Sequence, residues 1–98
     1  MTIEEITEKL RIHKPELIKK YKIKDIGIFG SYVRGEQKNA SDVDILVEFE
    51  NDVKLSLLDV AGLEIELSEL LGVKVDLVEK KTLKPYIGQN ILKEVIYV

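Results

Sequence analysis

Ser41-Asp42-Val43-Asp44-Ile45-Leu46-Val47-Glu48-Phe49 is the stretch on which the reading of the fold turns. Val43, Ile45, Val47 and Phe49 fall on every second position, the period of a strand with one apolar face. Downstream, Ser56 with Asp59 three residues later marks a helix start. That helix is expected to run through Leu57, Leu58, Ala61, Ile65, Leu70 and Leu71 and to stop at Gly72. Leu63 and Leu67 widen its apolar surface beyond one stripe, which suits core packing or a partner-binding face. Val73, Val75 and Leu77 then form another strand. Strand–helix–strand order over residues 43–79 implies a parallel crossover, hence an α/β domain.

Upstream, Ile26, Ile28 and Phe29 suggest a short strand that Gly30 punctuates. Thr2 and Glu5 form a capping-box pattern, so a first helix begins near residue 3. Pro15 is expected either to end it or to open a second helical turn, after which Leu17, Ile18 and Tyr21 continue the apolar stripe. A short helix around Tyr86–Lys93 and an extended Val95–Val98 complete the chain. No repeat or linker interrupts it, and residues 1–98 are read as one domain.

Composition narrows the function classes. The chain has 98 residues, 45% of them hydrophobic and 34% charged, a globular balance that is neither disordered nor fibrous. It contains no cysteine, which excludes disulfides and thiolate metal sites and fits a reducing compartment. Met1–Glu5 lacks a basic segment followed by an apolar one, and no apolar run approaches the ~20 residues that span a bilayer. A soluble, cytoplasmic protein without membrane contact is expected. The net charge of -3 argues against stable nucleic-acid binding, which usually carries a basic excess. The charge is uneven: residues 1–40 hold nine Lys/Arg against six Asp/Glu, and residues 41–98 hold six against twelve. His13, the only histidine, sits beside Pro15 among charged residues and reads as an exposed helix-end side chain.

The acidic half carries the chemistry. With Val43 between them on a strand, Asp42 and Asp44 project to one face, their Cα atoms about 6.5 Å apart. Asp76 repeats the pattern: Val75 and Leu77 turn into the apolar layer and Asp76 turns away. Three carboxylates on one side of neighbouring strands repel one another, and a hard cation such as Mg²⁺ converts that repulsion into coordination. Gly30 and Ser31 close the preceding strand, where a glycine permits close backbone approach and free N–H groups can cradle phosphate oxygens. Arg34 can reach a phosphate or brace the turn. Ser41 serves equally as a turn residue or a ligand. Each part alone is a common surface feature; the ordered combination is not.

The string Gly30-Ser31-Tyr32-Val33-Arg34-Gly35, with Asp42-Val43-Asp44 ten residues (32–41) after the Gly30-Ser31 pair, resembles the signature of the DNA polymerase β-like nucleotidyltransferase superfamily. Leu71-Gly72-Val73-Lys74-Val75-Asp76-Leu77-Val78 is similar to the segment bearing that family's third aspartate. In compactness the chain resembles the minimal nucleotidyltransferases, and the likeness spans residues 22–98. Val33, where many relatives have alanine, is a mild departure. The resemblance implies a small mixed sheet flanked by helices and two-metal nucleotidyl transfer. Asp42 and Asp44 would bridge two Mg²⁺ ions and Asp76 would hold the ion beside the attacking hydroxyl, with ATP as substrate. It also implies that Gly30 and Ser31 hold the β- and γ-phosphates.

Minimal nucleotidyltransferases of this kind are commonly antitoxins paired with a helical HEPN-domain ribonuclease, and transfer AMP from ATP to a tyrosine of that toxin. The resemblance therefore implies a protein adenylyltransferase antitoxin. Two other readings stand beside it: an antitoxin that neutralises its partner by binding alone, and a nucleotidyltransferase acting on a small molecule. The larger helical domain with which bigger relatives recognise their acceptors has no counterpart in the sequence, so a partner protein is expected to supply the acceptor.

Overall fold

The structure, a computed structural model, describes residues 1–38 and 41–98. Helix α1 (Ile3–Tyr21) leads into strand β1 (Ile23–Phe29) and a single helical turn, α2 (Ser31–Arg34). Strand β2 (Val43–Phe49), helix α3 (Leu57–Leu71) and strand β3 (Val75–Glu79) form the crossover unit. A 3₁₀ turn (Lys80–Thr82), helix α4 (Pro85–Glu94) and a two-residue strand β4 (Ile96–Tyr97) follow.

The sheet has the order β3-β2-β1-β4. Strand β2 runs parallel to β3 and antiparallel to β1, and β4 pairs antiparallel with β1, so the sheet is mixed. One face carries the core. Val43, Ile45 and Val47 of β2 pack with Ile6, Leu10 and Leu17 of α1 and with Leu63, Leu67 and Leu71 of α3. All of these are essentially inaccessible to solvent. The alternate residues of the same strands, among them Asp44, Leu46, Asp76 and Val78, therefore point to the other face.

Local chemistry sets the helix ends. Thr2 caps α1 by accepting from the Glu5 amide at 3.2 Å. Ser56 and Asp59 cap α3 reciprocally: the Ser56 hydroxyl accepts from the Asp59 amide and the Asp59 carboxylate accepts from the Ser56 amide. Gly72 closes α3 in the left-handed conformation. Pro15 departs from expectation, since α1 neither ends nor restarts there. The helix absorbs the one backbone bond that proline cannot make because the side chains flanking it, Leu10 and Leu17, are anchored in the core on either side. Strand β1 also begins earlier than its apolar pattern suggests, at Ile23, with an irregular register between Ile23 and Asp25. Strand β3 begins later, at Val75. Of the wide apolar surface of α3, Leu63 and Leu67 are core, whereas Leu57, Leu58 and Ile65 are exposed.

Two features fix the flanking strands. Two outward amides of β3 are bonded to side chains of α3: Val75 N–H donates to Ser68 Oγ at 3.0 Å and Leu77 N–H to Glu64 Oε2 at 2.9 Å. At the other edge, Gly27 lets β4 approach β1. A Cβ at this position would lie 2.7 Å from Val95 Cγ2 and 2.9 Å from the Ile96 carbonyl oxygen. Gly27→Ala is expected to destabilise the fold by about 1–3 kcal/mol, the cost of overpacking against a backbone atom. Urea unfolding measures that loss, and faster amide exchange at Val98, whose N–H donates to the Ile26 carbonyl, would locate it at β4.

Candidate active site

Asp44 and Asp76 are register partners on the parallel strands β2 and β3. Directly paired residues point to the same side of a sheet, so the two carboxylates stand side by side on the face opposite the core. On the other flank of β2, Asp44 pairs with Phe29, the last residue of β1. Gly30 follows at a φ of +82°, and a Cβ there would collide with the Asp44 carboxylate. A side chain at position 30 would thus occupy the space over Asp44.

The turn after Gly30 is tightly closed. The Gly30 carbonyl accepts from Val33 and Arg34 at 3.1 and 3.2 Å, and the Ser31 carbonyl accepts from Glu36 at 2.9 Å. Gly35 ends α2 with a left-handed residue. The amides of Ser31 and Tyr32 open this turn and, as in any first helical turn, have no partner within it.

Helix α4 lies across the same face. Between it and the strands is a cleft of about 370 Å³ whose walls include Gly30, Arg34, Asp44, Asp76, Ile87 and Glu94. Asp42 and Ser31 lie beside this cleft rather than in its walls. Asp42 precedes β2 and its carboxylate is 3.9 Å from the Lys74 ammonium. Another hollow, about 220 Å³, lies at the far end of β2 beside Phe49, Glu50 and Ser56 and contains none of the three aspartates.

Charge in the cleft is strained. Burial raises the pKa of Asp44 above the usual carboxylate range, and the negative charges of Asp76 and then Asp42 raise it further, with Arg34 opposing them. Among the described residues no three acidic or imidazole side chains already form a metal cage. The donor set nevertheless suits a hard divalent cation, being all carboxylate oxygen, with the charges of Asp76 and Asp42 acting on a partly buried Asp44. Repulsion keeps such side chains apart, and a cation between them removes the reason for it.

Arg34 is more engaged than its sequence position suggests. Its Nε donates to Glu36 at 2.6 Å, and its Nη1 contacts both oxygens of Glu94 at 3.0 Å. These two carboxylates, Glu36 foremost, hold the guanidinium proton more firmly than usual. Glu94 also accepts from the Gly30 amide at 3.0 Å. Sequence reasoning missed Glu94. Its signal was the spacing of Ile87, Ile91 and Glu94, which places a carboxylate on the one face of α4 that meets the sheet.

The family described as "Nucleotidyltransferase domain" matches residues 10–98. The chain belongs to this family. It is 52% identical over 98 residues to the protein adenylyltransferase MntA of Thermococcus cleftensis, a match covering 100% of this chain and 97% of that protein. A solved structure described as a minimal nucleotidyltransferase is 36% identical and superposes with a TM-score of 0.80, covering 98% of this chain and 95% of its own. A toxin–antitoxin crystal structure with AMP-PNP is 26% identical at a TM-score of 0.71, covering 88% of this chain and 69% of its own. The protein is a minimal nucleotidyltransferase and, with such relatives, an adenylyltransferase enzyme.

The raised pKa of Asp44 fixes the sign of a pH effect. Between the unfolded and folded pKa values the folded chain binds more protons, so stability falls as pH rises through that window. Asp44→Asn, which removes the strained charge, is expected to raise the melting temperature of the metal-free protein at neutral pH by roughly 2–5 °C. It should also flatten the dependence of melting temperature on pH in the acidic range just above the free carboxylate value of about 4. Thermal unfolding across that range is the measurement; a lower melting temperature for the variant would contradict it.

Proposed function

We propose that this minimal nucleotidyltransferase is a Mg²⁺-dependent antitoxin that transfers AMP from ATP to a tyrosine of a HEPN-domain toxin. The observation that carries the reading is the pairing of Asp44 with Asp76 beneath Gly30, with Asp42 beside them. Its support from relatives is the name protein adenylyltransferase at 52% identity and a toxin–antitoxin relative crystallised with AMP-PNP. The HEPN partner and the tyrosine acceptor are implied by the sequence resemblance.

Asp42, Asp44 and Asp76 would hold the magnesium. When bound there, it supplies charge neutralisation for in-line displacement at the α-phosphorus and lowers the pKa of the attacking hydroxyl. The chain's own residues do the rest. The amides at the Gly30–Ser31 turn and the Ser31 hydroxyl orient the β- and γ-phosphates, and Arg34 offsets their charge. Asp76, beside Asp44 in the cleft wall, takes the proton of the tyrosine hydroxyl. A bond forms between the tyrosine oxygen and the α-phosphorus, the α–β phosphoanhydride bond breaks, and pyrophosphate leaves with the bonding pair. Helix α4 walls the cleft and limits water, the competing acceptor.

A second reading, neutralisation by binding alone, draws on the exposed Leu57, Leu58 and Ile65 of α3, an apolar surface that the core does not use. One experiment separates the two. The Asp42→Asn, Asp44→Asn double variant is expected to lose label transfer from α-³²P-ATP to the co-expressed HEPN partner by at least about a thousandfold, while still co-purifying with it. Retained neutralisation of the partner by that variant would favour binding alone. Absence of Mg²⁺-dependent transfer by the unaltered protein would defeat the catalytic reading.

A further inference from the structure

The Gly30 amide and the Arg34 guanidinium are donors that the strand-end turn offers to an anion, and in this structure one carboxylate holds both. Glu94 Oε1 accepts from Gly30 N–H, and both Glu94 oxygens accept from Arg34, each at 3.0 Å. The carboxylate is mostly buried, with 23% of the side chain exposed. It also faces Asp44 and adds to the negative field there. A third acid in so negative a cleft is retained because these donors hold it. A backbone amide together with an arginine is the donor set that binds phosphate oxygens, and here an internal carboxylate fills it.

We propose that Glu94 is a built-in counter-anion of the phosphate site, which the polyphosphate of the nucleotide must displace, so that Glu94 sets nucleotide affinity. This rests on the reading of the Gly30–Arg34 turn as the phosphate-binding element. Glu94 closes α4, and the residues bounding that helix, Lys84 and Val95, are both extended. The carboxylate can withdraw by side-chain rotation alone, since β4 holds that end of α4 against β1, and the core on the opposite face of the sheet is not disturbed. Arg34 keeps Glu36 as a partner when Glu94 leaves, so the guanidinium stays beside the turn and meets the phosphates instead.

The test is calorimetric titration of the intact protein with Mg²⁺–AMP-PNP and, separately, with inorganic tripolyphosphate, which lacks a base and a sugar. Glu94→Gln is expected to bind both about tenfold more tightly, the weight of one charge-assisted hydrogen bond no longer contested. The KM for ATP should fall with it. Arg34→Ala should weaken both ligands. Glu94→Asp, which retracts the charge by one methylene, is expected to shift affinity in the same direction by less, and serves if Glu94→Gln does not fold. Weaker or unchanged binding by the folded Glu94 variants, with Arg34→Ala still weakening it, would make Glu94 a positioning residue for Arg34 and overturn the proposal. Unchanged binding in both Arg34→Ala and Ser31→Ala would instead remove the phosphate-binding reading itself.

Discussion

Two like charges held side by side are the constraint around which this small protein is arranged. Parallel pairing of β2 with β3 sets Asp44 against Asp76, and nothing in the sheet permits one to retreat to the other face. A shift of one residue in register would send either carboxylate into the apolar layer beneath. The register is in turn fixed by that layer: Val43, Ile45 and Val47 are locked between α1 and α3. The core thus holds the carboxylates together, and burial first, then the charge of Asp76, raises the pKa of Asp44.

The opposite face is built as a counterweight. Helix α4 returns over the strands and places Glu94 against Gly30 and Arg34, which links the C-terminal part of the chain to the turn that follows β1. The close approach of β4 to Gly27 supports this return. The carboxylate face and its cover are therefore coupled through backbone geometry at two glycines, Gly27 beneath β4 and Gly30 above Asp44.

Much of this was readable in advance where signals were local. Alternation gave β2, the Ser56–Asp59 pair and Gly72 bounded α3, and Gly30 ended β1. The period-two rule alone is enough to turn Asp44 and Asp76 away from the apolar layer. What was not readable depends on distant partners. The helix runs through Pro15 because tertiary anchoring on both sides outweighs one missing hydrogen bond. The spacing of Ile87, Ile91 and Glu94 can place Glu94 on a face of the helix but not its partners, since its meaning lies in a contact with residues about sixty positions earlier. Leu57 and Leu58 fit the helical pattern yet lie exposed, because hydrophobicity reports what a side chain prefers and not whether the chain has another surface to cover it.

The side chains along the outer margin of β3 carry a consequence for assembly. Ser68 and Glu64 already occupy two amides, those of Val75 and Leu77, that an incoming strand would seek, which disfavours extending the sheet there by backbone pairing with another polypeptide. The opposite margin offers only the two residues of β4. These edges favour association by the fit of side-chain surfaces, which can be selective for one companion, over the sequence-blind zippering that exposed strands invite.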